Sequence, residues 1–270
     1  MRGFLSRMLG ASCIALLMTA GTAPLSSSFA QAAQKPYEPT VGQQGKDVVW
    51  VPTPQALVDR MLDMAKVTPK DILYDLGSGD GRTVITAAKR GVNATGVEFN
   101  PDMVALSRRN AQAEGVGDKA KFIQGDIFAT DFKHATVVTM FLLSELNLRL
   151  RPTLLNMKPG TRVVSNTFDM SDWEPDEQVQ ANVNCTSYCR AMLWIVPAKV
   201  EGNWQLGSDF LSLDQQFQMV MGTYKGAKVS GKLKGDQITF QAGGQTYTGH
   251  VSGNKMEGTV GGAKWTAVKK

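Results

Sequence analysis

With 270 residues, 43% of them hydrophobic and 20% charged, the chain has the length for a large α/β core plus an accessory module. It is too apolar and too weakly charged for a disordered protein. The formal charge of +5 is uneven: residues 199–270 carry nine Lys against five acids, whereas residues 31–198 come to about −1. The longer part therefore offers no cationic face for a phosphate backbone, and the tail lysines read as a solvated surface.

Along the chain, Arg2 and Arg7 precede an apolar stretch from Met8 to Ala23, and small residues follow at Ser28-Phe29-Ala30 or Ala30-Gln31-Ala32. This order predicts a secretory signal peptide over residues 1–30, with the body of the protein exported to the periplasm or secreted. Gly10, Ser12, Thr19 and Gly21 interrupt the stretch and make it a poor membrane span. The alternative is an uncleaved anchor, and membrane contact is expected only through it. Residues 31–48, polar with Gln and Pro, read as a linker.

From Thr53 onward helix and strand signals alternate. Thr53 and Pro54 predict an N-cap and first helical turn, with Leu57, Met61, Leu62 and Ala65 on one face. Strands are predicted over 71–76, 94–99, 121–124, 136–142 and 161–166, and helices over 83–90, 101–114 and 146–157. Such alternation predicts an α/β fold with a Rossmann-like, doubly wound, mostly parallel sheet over residues 49–198. After about Pro197 short strand-like runs alternate with Gly-Asp, Gly-Gly and Gly-Asn turns. They predict a small antiparallel β-rich domain over 199–270, as a sandwich or half-barrel. Past the signal only Cys185 and Cys189 remain, in C-T-S-Y-C. In a straight strand they would lie about 13 Å apart, too far to bridge, but a turn would allow a local disulfide.

The chemistry concentrates at Asp75-Leu76-Gly77-Ser78-Gly79-Asp80-Gly81-Arg82, between a strand and a helix. Glycines there let the backbone approach a ligand, and the helix start presents free N–H groups. Arg82 stands where a dinucleotide-binding G-x-G-x-x-G needs its third glycine, which disfavours pyrophosphate. Glu98 follows the second strand, 23 residues after Asp75, where an acid can accept both ribose hydroxyls. Asp126 follows the third strand, where it can take an adenine amino group. Acids after three successive strands suit a cationic sulfonium ligand with an adenosine tail.

These residues carry a resemblance. V-P-T-P (51–54), Y-D-L-G-S-G-D-G-R (74–82), G-V-E-F-N-P (96–101), Q-G-D-I-F (124–128), F-L-L-S-E-L-N-L-R-L-R-P (141–152) and K-P-G-T-R-V-V-S-N-T-F-D-M (158–170) resemble class I S-adenosylmethionine-dependent methyltransferases. More narrowly they resemble the lysine methyltransferases of the FAM173 type, and more loosely those of the Dot1 type. The resemblance implies that Asp75, Gly77, Ser78, Gly79 and Gly81 bind S-adenosylmethionine, that Glu98 holds its ribose, and that Asp126 meets its adenine.

For the acceptor, residues 139–145 lack the Asn/Asp-Pro-Pro-aromatic motif for an exocyclic base amine. That speaks against a nucleic acid and leaves an unidentified acceptor, read as a protein lysine. Trp50, Phe141, Phe168 and Trp173 are candidates for an apolar channel, which would favour the neutral amine. Glu145, Asn147 and Asp169 are candidate catalytic residues that orient it, with helix capping as the rival role. A small-molecule or lipid acceptor, or a non-catalytic binding module, are the alternatives. His134 and His250 have no second ligand nearby, so no metal site is expected.

Overall fold

The computed structural model describes residues 37–270; the signal-peptide reading of residues 1–30 lies outside the described residues. The alternation read from the apolar pattern is present as α1 (Gln55–Met64), β1 (Ile72–Leu76), α2 (Arg82–Lys89), β2 (Asn93–Glu98), α3 (Pro101–Ala113), β3 (Ala120–Gln124), β4 (Val137–Met140), α4 (Ser144–Leu155) and β5 (Arg162–Asn166). β1 and β4 are buried almost throughout, as parallel strands covered by helices on both faces must be. In α3 the Asn100 carboxamide accepts from the Asp102 and Met103 amides, Pro101 fills the first turn, and Gly115 at φ +68° ends it. The expected cap at α1 is corrected. Pro54 occupies the N-cap position, and buried Thr53 instead accepts from the Asn166 carboxamide at 3.3 Å.

The sequence predicts no element between 167 and 216, yet four strands lie there. β6 (Glu177–Gln180) and β7 (Arg190–Ile195) extend the sheet, and β8 (Gly202–Leu206) and β9 (Asp209–Gln216) form a hairpin across Gly207-Ser208. The seven strands run β3-β2-β1-β4-β5-β7-β6, with β7 antiparallel to its neighbours. From β1 the chain winds outward to β3, then crosses back to β4 on the other side of β1. A crevice opens outside the carboxyl ends of β1 and β4, at this switch point.

β10 (Met219–Tyr224), β11 (Ala227–Lys234), β12 (Gln237–Ala242), β13 (Gln245–Ser252), β14 (Lys255–Val260) and β15 (Ala263–Lys269) continue as a meander. The expected sandwich or half-barrel is corrected to a closed eight-stranded barrel: β15 pairs with β8, matching Ala267 to Leu206, and β9 pairs back to β10. Eight strands leave room for side chains alone. The interior is filled by Trp204, Leu213, Leu233, Phe240, Tyr247 and Trp265, with Phe240 stacked on Tyr247 at 4.7 Å. The barrel is fixed to the sheet by Gln218, whose carboxamide donates to the Glu174 carbonyl at 2.8 Å, and by a Lys232–Asp176 ion pair at 2.9 Å. Trp173 lies in this seam, fully buried, with its ring 5.9 Å from Phe217 and 6.2 Å from Trp194.

Candidate active site

The turn after β1 enters the crevice with Gly77, Gly79 and Gly81 all at positive φ. Two of the three are required by contact as well. A Cβ on Gly79 would sit 2.6 Å from the Trp50 indole nitrogen, and one on Gly81 would sit 2.8 Å from the Phe122 ring. Glu98, at the end of β2, reaches back to this turn. One carboxylate oxygen accepts from the Gly79 amide at 3.0 Å and the other from the Asn100 amide at 2.9 Å. Asp126 accepts from the Phe128 amide at 2.9 Å and from the Lys46 ammonium at 2.6 Å. The Lys46 hydrogen bond, ahead of that amide, holds its carboxyl below the usual carboxylate range.

Asp75 is buried beneath the turn with a single partner among the described residues, the Thr139 hydroxyl donating at 2.6 Å. Burial pushes its pKa up to about 7, against the Thr139 hydrogen bond and aided by the negative charges of Asp80 and Glu98. Asp80 is partly neutralised by Arg82 at 2.5 Å.

The reading of residues 31–48 as a linker is corrected over its described part. Residues 43–53 fold across the crevice as a strap and line it. A bridge joins Gln44 to Val49, the Trp50 amide donates to the Gln43 carbonyl, and Lys46 pins the strap to Asp126 while lying over the Phe99 ring at 4.9 Å. No periodicity announces a segment of this kind, because its conformation is set by residues 80 positions away.

The expected cofactor residues Asp75, Gly77, Ser78, Gly79, Glu98 and Asp126 all line one cavity, and Gly81 shapes it as the N-cap residue of α2. Their chemistry fits S-adenosylmethionine. The Ser78 hydroxyl is buried and without a partner among the described residues, the turn admits no Cβ at Gly79, and Asp75, Glu98 and Asp126 surround a space suited to a cation. Glu98→Ala is expected to weaken cofactor binding by about 1.5–3 kcal/mol, since it removes a charged acceptor and frees two amides. Calorimetry reading unchanged affinity would remove Glu98 from the site. Gly79→Ala is expected to lower cofactor affinity at least about tenfold, from left-handed backbone strain and overlap with Trp50. Gly115→Ala, at φ +68° with nothing within 4 Å of the added Cβ, is the control. It carries the backbone cost alone, and an equal loss of affinity in both variants would contradict the steric account.

At the other end of the cavity, beyond β4 and β5, the walls are apolar. Phe141, Phe168 and Tyr188 pack with ring centroids 6.0, 5.2 and 6.3 Å apart, beside Leu142, Leu143 and Leu146. Trp50 lines the cavity as expected, whereas Trp173 does not, being enclosed in the seam with the barrel. Tyr188 was not legible as a wall residue: it arrives on the β6–β7 connection, where Cys185 and Cys189 form a disulfide with Cα atoms 5.8 Å apart. The segment turns, so the straight-strand geometry does not apply.

The three candidate catalytic residues do not line the cavity. Glu145 is exposed in the first turn of α4. Asp169 is exposed and accepts from the Ser144 hydroxyl at 3.2 Å and the Ser171 amide at 3.3 Å. Buried Asn147 donates to the Phe168 and Asp169 carbonyls at 3.0 and 3.1 Å, so it positions the loop that carries Phe168.

Comparison with known proteins agrees with this layout. Residues 75–177 match the family model described as the ANTKMT methyltransferase domain. A protein-lysine N-methyltransferase of Saccharolobus islandicus (strain REY15A) is 46% identical over 147 residues, covering 52% of this chain and 91% of the relative. An ATP synthase lysine N-methyltransferase of Caenorhabditis elegans is 30% identical over 180 residues, covering 64% of this chain and 90% of the relative. Among solved structures, an RNA methyltransferase from Salinibacter ruber in complex with S-adenosyl-L-homocysteine is 46% identical, with a TM-score of 0.52, covering 56% of this chain and 96% of that one.

Proposed function

The chain belongs to the protein-lysine N-methyltransferase family of S-adenosylmethionine-dependent enzymes, and from that membership we propose that it methylates the side-chain amine of a lysine in a protein. The observation that carries the acceptor reading is the aromatic and aliphatic end of the cavity, beyond β4 and β5. When bound, S-adenosylmethionine supplies an electrophilic methyl group on a sulfonium. Glu98 and Asp126 are placed to hold its sugar and base, and the glycine turn its remaining polar groups. The acceptor amine, with an ordinary pKa of about 10.4, has to shed a proton before it attacks. Phe141, Phe168, Tyr188 and the three leucines beside them present no carboxylate to it. They favour the neutral amine by excluding water, and its proton leaves through the cavity mouth to solvent. Holding the amine in line with the methyl group is the larger part of what the walls contribute.

A second reading, an RNA acceptor, follows from the description of the Salinibacter relative. The charge around the cavity weighs against it: Lys46 and Arg82, both on its lining, are each paired to an acid. Incubation of the purified protein with methyl-labelled cofactor and a whole-cell extract, with ribonuclease or protease digestion of the product, separates the two. Acid hydrolysis is expected to return the label as methyl-lysine. Label in nucleosides, lipid or a small metabolite would refute the proposal, and cofactor binding without label transfer would favour a non-catalytic module.

Export is part of the same proposal. It is supported by the order of Arg2, Arg7, apolar stretch and small-residue exit, and by the Cys185–Cys189 disulfide, which suits an oxidising compartment. Mass spectrometry of the native protein tests it: an intact Met1 terminus on cytosolic protein would overturn it.

A further inference from the structure

We propose that Tyr188 is a specificity-determining residue for the acceptor, and that the Cys185–Cys189 disulfide is what sets its ring against the cavity. This inference deepens the lysine reading and rests on it.

Among the described residues, Tyr188 is the only one beyond Phe168 that lines the cavity. It stands on a short excursion between β6 and β7, 41% exposed, with its ring 5.2 Å from Phe141 and 6.3 Å from Phe168. Its backbone is in the left-handed region at φ +55°, as is that of Asn184 at φ +56°. For residues other than glycine this conformation costs free energy and persists only where the surroundings impose it. Two restraints do so. Thr167 and Arg190 exchange hydrogen bonds, the Thr167 amide donating to the Arg190 carbonyl and the Arg190 guanidinium to the Thr167 carbonyl, both at 2.7 Å. They tie the loop of Phe168 to the start of β7. The disulfide is the other. Cys189 is buried in the core of the sheet, and through the bridge it holds Cys185, closing a ring that contains Thr186, Ser187 and Tyr188.

The result is three rings meeting at one end of a cavity whose other end is lined by carboxylates. Aromatic faces attract alkylammonium groups and tolerate the neutral amine, so this wall selects an acceptor that is a slender chain ending in nitrogen. A purely structural disulfide would staple the hairpin without any effect on ligands at this end.

The test titrates n-butyltrimethylammonium, which reproduces the end of a trimethylated lysine, into the S-adenosylhomocysteine-loaded mature protein by calorimetry. Oxidised protein is expected to bind it saturably. Tyr188→Ala should bind about fivefold more weakly, and Tyr188→Phe within about twofold of the parent. Dithiothreitol-reduced protein and Cys185→Ser should be weakened in the same direction, whereas Tyr188→Ala should no longer respond to reductant. Affinity for S-adenosylhomocysteine should stay within about twofold throughout, because the cofactor end lies on β1, β2 and β3. Equal probe affinity in the parent, Tyr188→Ala and the reduced protein would overturn the proposal, as would a parent that binds no probe. Failure of the lysine reading alone would look different: label on an acceptor other than lysine, with probe binding still governed by Tyr188.

Discussion

Trp173→Ala is expected to destabilise the protein by about 3–5 kcal/mol while leaving cofactor affinity unchanged. The indole is fully buried, stacked against Phe217 with planes 18° apart and tilted against Trp194. Truncation would open a cavity at the seam where the barrel meets the sheet. The surroundings are tied on both sides, by the Gln218–Glu174 hydrogen bond and by the Trp194 indole donating to the Trp173 carbonyl at 2.6 Å, so collapse into the void is limited. Urea denaturation reads the stability loss, and calorimetry with S-adenosylhomocysteine reads the affinity. The opposite pattern, weak binding in a protein of nearly normal stability, would return Trp173 to the acceptor channel.

The second large effect is one of pH. Asp75 holds its proton in the folded protein up to about pH 7, chiefly because burial disfavours the carboxylate, whereas an unfolded chain releases it near the ordinary 3.8. Between those values the unfolded state binds fewer protons, so the contribution of Asp75 to stability is full below about pH 4 and is lost as pH rises to about 7. At about 1.4 kcal/mol per pKa unit, the loss amounts to as much as about 4 kcal/mol. Asp75→Asn retains an acceptor for Thr139 and cannot ionise. Its stability relative to the parent should therefore climb between pH 5 and pH 8. Parallel stability profiles for the two proteins would show that Asp75 titrates in the ordinary range.

The parts of the site legible in the sequence are those whose cause is local. Gly77, Gly79 and Gly81 declare themselves by strand, turn and helix in immediate succession, and Glu98 and Asp126 by following strands. Elements whose cause is distant were not legible. The strap over the crevice depends on Lys46 meeting Asp126, and the barrel closes through Ala267 pairing with Leu206. Arg190–Ile195 is a continuous apolar run without alternation, because β7 is buried inside the sheet. Among the aromatics, composition could not separate Phe141 and Phe168, which wall the cavity, from Trp173, which fills a seam. Tyr188 required a disulfide turn to be placed at all. Glu145 and Asp169 lie close in sequence to wall residues, yet helix and loop geometry turn them to solvent.

The central claim is a single cavity with a cofactor end on β1, β2 and β3 and an acceptor end on β4 and β5. It is tested most directly by the crystal structure of the complex with S-adenosylhomocysteine. The expected result has the ribose on Glu98, the adenine beside Asp126 beneath the strap, and the sulfur facing Phe141, Phe168 and Tyr188. A sulfur directed away from those rings, or a cofactor seated outside the glycine turn, would contradict it.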